Sequence, residues 1–490
     1  MQKCARKMIF ASAVLGSALA AVPLPAAAAG QPTSIQLAPD RITTLPAFID
    51  GLLAQQLISR EVAGATVTVV HQGRIIFSRG YGWQDVTRRI PMDPARSLIR
   101  PGSVSKLVTW TALMQLVEQG RVDLHADINK YLDFTIPDHN GQKILVHHLL
   151  DHRPGFEDRG GITVKDPSSY LPLAQWMRRN IPNRVRPAGV ETAYSNYGSA
   201  LAGYIVERVS GQKFEDYAQA NIFRPLGMTR STFMDPSGAL LADRAHGYKF
   251  EKGRFVEQPM EYYQNIAPAG SIFATSNDMA QFMMAHLHNG TYGGQILKPE
   301  TARMMRQTRS ANTPGFPGFG AGFFVFRDAG PRLVGHGGNT TDFHSQMVLA
   351  PEADLGFFTS YTGGVGSYAA RTELTNALIG RLFPLVPAAR WTGADAGPSP
   401  LGAWRSNRRD YSKTPDPKND VKVAAAGPYA LTIRTGTVDS HWQQIAPDTY
   451  EAVAYTPPGG PYDRVKFFNQ DGEARMGFAS QPHVTYRLVR

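Results

Sequence analysis

Cysteine is all but missing from this chain of 490 residues; the single one, Cys4, lies in its basic start. Beyond residue 29 no thiol remains, which excludes disulfides, thiol nucleophiles and cysteine-ligated metals from the body of the protein. The fold must hold by its core. Cys4 also precedes the apolar run rather than closing it, which argues against a lipid-modified N-terminus. A long hydrophobic run is missing too. The apolar stretch Met8 to Val22 has 15 residues, short of the roughly 20 that span a bilayer, and nothing after Gly30 reaches transmembrane length. Dense charge of one sign is absent: the cluster Arg405 to Arg409, RSNRR, is too short for a nucleic-acid groove and reads as a solvated face. No repeat of 20–50 residues is evident. No Gly-x-Ser-x-Gly elbow occurs, which weakens a Ser-His-Asp reading.

What is present begins with an export signal. Lys3, Arg6 and Lys7 precede the apolar run, and Ala26 to Ala29 offer small residues to a signal peptidase. Residues 1–29 therefore read as a signal peptide, with an uncleaved anchor as the rival, and the mature protein as periplasmic or secreted. Cleavage removes those three cations and takes the net charge from +11 to +8. With 42% hydrophobic residues, the remainder can build one large domain and a small one.

The chain then divides. A helical pattern from Leu45 to Ile58 precedes a β-hairpin made of ATVTVV (Ala65 to Val70) and RIIFSRG (Arg74 to Gly80) around His71-Gln72-Gly73. A buried helix follows Arg100-Pro101-Gly102 and closes at Gly120. Helices and long loops fill Leu124 to Pro317, among them ILVHHLLDH, Asn196 to Val209 and Asp278 to Leu287. Strands are expected at Phe319 to Phe326, Pro331 to Gly338, His344 to Pro351 and Leu355 to Thr362, with a helix from Ala369 to Leu382. Strands at both ends and helices between them predict an α+β fold, its antiparallel sheet completed by distant parts of the chain. The expected domains are residues 30–388, a linker or wrapping segment at 389–417, and a small β domain at 418–490.

Candidate chemistry starts from Ser-x-x-Lys, which sets a hydroxyl and an amine on one helical face. Ser210-x-x-Lys213 sits at a helix exit and reads as a cap. Ser103-x-x-Lys106 opens a helix, where the dipole and a backbone N–H can serve an oxyanion; an N-cap serine with a surface lysine is the plain alternative. Tyr-x-Asn occurs at Tyr194-Asn196 and Tyr263-Asn265, and His-x-Gly at His71, His139, His288 and His336. Only His336-Gly337-Gly338 extends a strand, with glycines that let a substrate backbone approach, and only Tyr194-Ser195-Asn196 leads from a loop into a helix. His148 and His152, at i,i+4 on an expected helix, have a spacing that can bind zinc; no glutamate lies between them, and neither a metal nor another cofactor is implied.

In that order, Ser103-x-x-Lys106, Tyr194-x-Asn196 and His336-x-Gly338 resemble the three motifs of the serine β-lactamase and penicillin-binding superfamily, most closely its class C β-lactamase-like branch of esterases, D-aminopeptidases and DD-peptidases. LVEQGRVDLHADINKYL, HHLLDHRPGF and ETAYSNYGSALAGYIVERVSG add to a likeness running from about Ala47 to Leu382. The resemblance implies a β-lactamase/transpeptidase-like fold with a helical insert, followed here by a small C-terminal β domain for which a lipocalin-like module is one candidate. It implies that Ser103 forms an acyl-enzyme, with Tyr194 as base and later acid, its pKa lowered by Lys106, and Lys106 sharing the proton transfer. Asn196 would orient the lysine and the substrate amide, and the backbone N–H groups of Ser103 and Asn339 would form the oxyanion hole. Many relatives carry Lys-Thr-Gly where His336, Gly337 and Gly338 stand, so carboxylate recognition is expected to be weaker here. The expected substrate is a small ester or peptide, with a carboxylesterase or D-amino-acid-directed peptidase favoured over a β-lactamase, an acyltransferase or a slow penicillin-binding protein. No nucleic acid and no stable membrane span are expected.

Overall fold

Strand Gly64–His71, rich in β-branched residues, is buried at every position but the last. In this computed structural model, which describes residues 35–327, 330–393, 400–453 and 462–489, it turns through Gln72 and Gly73, both at positive φ, into strand Arg74–Asp85. The predicted hairpin forms. Its inner strand also pairs antiparallel with Leu355–Thr362, Gly64 opposite Thr362 and His71 opposite Leu355. Strands Phe343–Ala350, Leu333–Asn339 and Phe324–Arg327 continue the sheet, and Ile90–Pro91 ends it beyond Arg74–Asp85, giving seven strands. Every pairing between them is antiparallel. Distant parts of the chain complete one sheet, as the α+β reading requires.

Alternation assigns the faces. In Leu355–Thr362, Phe357 joins helices Leu45–Ser59 and Val365–Leu382 on one side through Leu53, Leu374 and Leu378. Phe358, its neighbour, meets the helical layer on the other side with Leu113, Met283 and Met347. Both faces are covered, so all eight residues of that strand are buried. A polar group crosses one interface at no loss of hydrogen bonding: buried Gln56 donates to Ala370 O (3.0 Å) and accepts from Tyr361 Oη (2.9 Å).

Two expected elements are shorter than their sequences indicate. The helix over ILVHHLLDH spans only Val146–Leu150, and His152 takes a positive φ of 54° ahead of Pro154. His148 and His152 therefore do not share a helical face, which removes the geometry of the zinc reading. The strand expected over Phe319 to Phe326 starts at Phe324, because Gly322, at φ 84°, turns back where a Cβ would strike the Trp110 ring.

The C-terminal part is a closed barrel of eight strands from Gly402–Ser406 to Tyr486–Leu488, shut by pairing Trp404 opposite Leu488. Its first strand lies inside the stretch read as a linker. Trp404, Trp442, Phe467, Met476 and Tyr486 meet in one buried cluster of this barrel. The expected signal peptide, with Cys4 in it, lies outside the described residues. Among those described, no helix is long and apolar enough to cross a membrane.

Candidate active site

Ser103 stands where the chain changes direction. Ile99 exchanges backbone hydrogen bonds with Ala274 (3.0 and 3.1 Å), Gly102 takes φ 57°, and a 3₁₀ turn, Gly102–Ser105, runs into the helix Lys106–Glu118. That helix is buried from Lys106 through Leu116, so Ser103 tops a rigid central element. Ser105 is structural: its Oγ donates to Gly102 O (2.5 Å) and accepts from Ile272 N (3.3 Å).

Lys106, fully buried, sits one turn below. Its Nζ lies 3.1 Å from Ser103 Oγ, donates to Asn196 Oδ1 at 2.8 Å, and donates to the carbonyl of Ala269. Burial drives its pKa well below the ordinary lysine range; Arg408 adds to the shift and Asp158 opposes it.

Tyr194 comes from the loop ahead of the helix Asn196–Ser210, whose N-cap Ser195 accepts from Gly198 N (3.0 Å). Its ring lies on His152, centroids 4.3 Å apart, with Lys106 Nζ 5.0 Å from its centroid. The hydroxyl is buried beside the Ser103 side chain without the geometry of a formed hydrogen bond. Burial raises its pKa above the ordinary tyrosine range, while Ser103 and Arg408 pull it down. The expectation that Lys106 lowers this pKa is thus corrected: deprived of water, both groups are pushed toward their neutral forms. The other candidate, Tyr263, gives its hydroxyl to Glu261 (2.7 Å).

The third motif lies on strand Leu333–Asn339. His336 Nδ1 donates to Gly337 O (2.6 Å), so its buried, unpartnered Nε2 is the acceptor tautomer's nitrogen. Burial pushes its pKa down to about 3, leaving a neutral ring. Gly338 serves a purpose other than the one expected: a Cβ there would sit 1.9 Å from Pro101 O and 3.0 Å from Ser103 N. It lets the protein's own serine turn approach the strand. Gly102 does the same from the other side, where a Cβ would lie 3.1 Å from Asn339 N. The backbone N–H groups of Ser103 and Asn339 are thereby brought to one rim.

Ser103, Tyr194, Asn196, His336, Gly337 and Asn339 line one cavity of about 560 Å³, with Lys106 beneath it. Gly338 braces the rim. The sequence reading missed the opposite wall, which the barrel supplies through Arg408, Gln481, His483 and Tyr486. Arg408, assigned to a solvated face, lies 4.6 Å above the Tyr194 ring and 2.8 Å from Asp158. His483 O accepts from Tyr194 N (3.2 Å), and burial takes the His483 ring to about pKa 3. The barrel is anchored alongside. Buried Glu191 meets Arg186 (3.5 Å), Arg475 (3.2 Å) and Arg487 (3.4 Å) and accepts from Thr485. No motif marks these residues; their common signal is placement by a second domain.

Half-buried Ser103, with buried Lys106 and Tyr194, packs against an antiparallel sheet in the arrangement of the β-lactamase/transpeptidase fold. The Beta-lactamase family model matches residues 49–379, and the chain belongs to that family. It is 30% identical over 269 residues to the penicillin-binding-protein candidate PbpX of Bacillus subtilis strain 168, covering 53% of this chain and 61% of that one. The chain spans 61% of the length of the curated relatives it matches. The octameric penicillin-binding protein homologue of Pyrococcus abyssi has a similar fold, with TM-score 0.60, 22% identity and coverage of 91% of this chain and 99% of that chain. D-amino acid amidase of Ochrobactrum anthropi SV3 matches with TM-score 0.57 and 24% identity, over 69% of this chain and 97% of that chain.

Proposed function

We propose that this protein is an exported serine hydrolase that cleaves an ester or amide through an acyl-enzyme on Ser103. The observation that carries the reading is the environment of Lys106 Nζ. A neutral amine has two N–H donors and one lone pair; Asn196 Oδ1 and Ala269 O are acceptors only. With both donors used there, the lone pair is left for the Ser103 hydroxyl, 3.1 Å away. Burial favours that neutral amine.

Ser103 Oγ attacks the substrate carbonyl as its proton passes to Lys106. The backbone N–H groups of Ser103 and Asn339 hold the developing oxyanion. Tyr194, neutral at rest, gives its proton to the leaving alcohol or amine as the carbonyl–leaving-group bond breaks, and Lys106 restores it. Water then attacks the acyl carbonyl along the reverse proton path. Asn196 keeps Lys106 in register and faces the substrate, as do the neutral His336 and the backbone at Gly337. With neutral His336 standing where many relatives carry lysine, carboxylesterase or D-amino-acid-directed peptidase activity is favoured over that of a β-lactamase.

The test is a screen of p-nitrophenyl esters, D-amino acid amides, cell-wall peptides and nitrocefin with wild type and Ser103→Ala. Turnover of an ester or peptide should fall by about 10⁴-fold or more in the variant; activity retained in Ser103→Ala sinks the proposal.

A further inference from the structure

The serine-hydrolase reading leaves the substrate's charge open, because His336 brings none. The cavity walls carry two arginines, Arg371 and Arg408, and no aspartate or glutamate among the described residues that line it. The carboxylate behind this wall, Glu261, is turned to Thr341 N (2.9 Å) and Tyr263 Oη (2.7 Å). Arg371 is engaged by the protein: Nη1 donates to Ser345 O (3.2 Å), and the guanidinium lies 4.8 Å over the Tyr368 ring. Arg408 differs. Asp158 meets its Nε edge at 2.8 Å, and 29% of its side chain remains exposed. A guanidinium has five N–H donors in a planar fork that suits a carboxylate; the ion pair with Asp158 lies on its Nε edge. Because the guanidinium stands over Tyr194, whatever it binds lies beside the bond that Ser103 would attack.

We propose that Arg408, carried into the site by the barrel, anchors a substrate carboxylate, so that the enzyme prefers acyl compounds with a free carboxylate near the scissile bond over those with a free ammonium. This rests on the Ser103 reading above. The cation missing from the third motif is supplied from the opposite wall. A bidentate guanidinium–carboxylate contact rewards the anionic substrate. An ammonium in the same place would meet like charge with no carboxylate lining the cavity to receive it.

The full-length protein is assayed with matched N-acetyl dipeptides of D-amino acids, one ending in a free carboxylate and one in an amide, and with the amidated dipeptide bearing a free N-terminal ammonium. The carboxylate substrate should lead in kcat/KM by about tenfold to a hundredfold. Arg408→Gln should bring the two N-acetyl substrates to near equality, and Arg408→Lys should keep part of the preference. The ratio is the readout, since general loss of catalysis lowers both members alike. A second measurement needs no variant: an N-acetyl-D-amino acid should inhibit p-nitrophenyl ester hydrolysis by wild type better than its amide does. Preference for the amide or ammonium substrate, a preference surviving in Arg408→Gln, or equal inhibition by acid and amide overturns the proposal. Each of these leaves the Ser103 reading standing, whereas activity in Ser103→Ala removes that reading itself.

Discussion

At the residue scale the site depends on where protons rest. Lys106 has traded water for three hydrogen-bond partners, and its depressed pKa has a kinetic consequence. If the neutral amine is the active form, kcat/KM rises with pH through the Lys106 pKa, so the acidic limb should fall below the usual lysine range near 10.4. Lys106→Arg keeps a permanent cation and should lower kcat by about 10²–10⁴-fold; a variant with near-normal kcat would remove the lysine from proton transfer. Tyr194→Phe deletes one hydroxyl while the ring keeps its place on His152, and should cost about 10²-fold or more in kcat with little change in KM. Ser103, Lys106, Tyr194 and His336 were legible because each sits in a short local pattern, the first three where a helix begins and His336 within a strand. Arg408 and His483 were not. They reach the site only because the barrel folds back on Tyr194, and RSNRR in isolation has the composition of a surface loop.

At the scale of elements, the sheet edge and the serine turn are fitted to each other by two glycines. The close approach at Gly338 makes a specific forecast. Gly338→Ala would drive a methyl into Pro101 O at 1.9 Å, pushing the turn that carries Ser103 outward. Misplacement by about 1 Å can cost roughly 10²-fold in rate, so kcat should fall by that order while circular dichroism remains native; unchanged kcat would show that this contact does not set the serine. The hairpin at Gly64–Asp85 and the helices at Leu45–Ser59 and Val365–Leu382 were readable from apolar spacing, since each buries a continuous face. Strands Gly402–Ser406 and Val421–Gly427 were hidden for the opposite reason. In the latter only Val421 and Val423 are buried, and the alanines and glycine after them face outward. Their pairing comes from barrel closure rather than from their own propensity.

At the scale of the whole molecule, the barrel is a wall of the site as well as a neighbour. Its anchor is the buried carboxylate of Glu191, three residues from Tyr194, which meets three arginines. Replacing that carboxylate leaves buried Arg186 without a carboxylate, while Arg475 and Arg487 keep Glu473 at 3.4 and 3.1 Å; breaking a buried pair costs about 3–5 kcal/mol in such settings. Glu191→Gln should therefore lower stability by that order in urea denaturation; a variant as stable as wild type would mean the cluster is solvated and the barrel is held elsewhere. The two-part architecture was visible in the sequence as a change in composition, but the interface was not, because its residues are polar and scattered from Glu157 to Arg487.

The central claim is that Ser103 becomes acylated. It is met most directly by treating the protein with a fluorophosphonate and measuring intact mass, then mapping the adduct by peptide sequencing. One adduct per chain on Ser103, absent in Ser103→Ala and slowed in Lys106→Arg, is the predicted result. An adduct on another serine, or undiminished labelling of Ser103→Ala, would contradict the account.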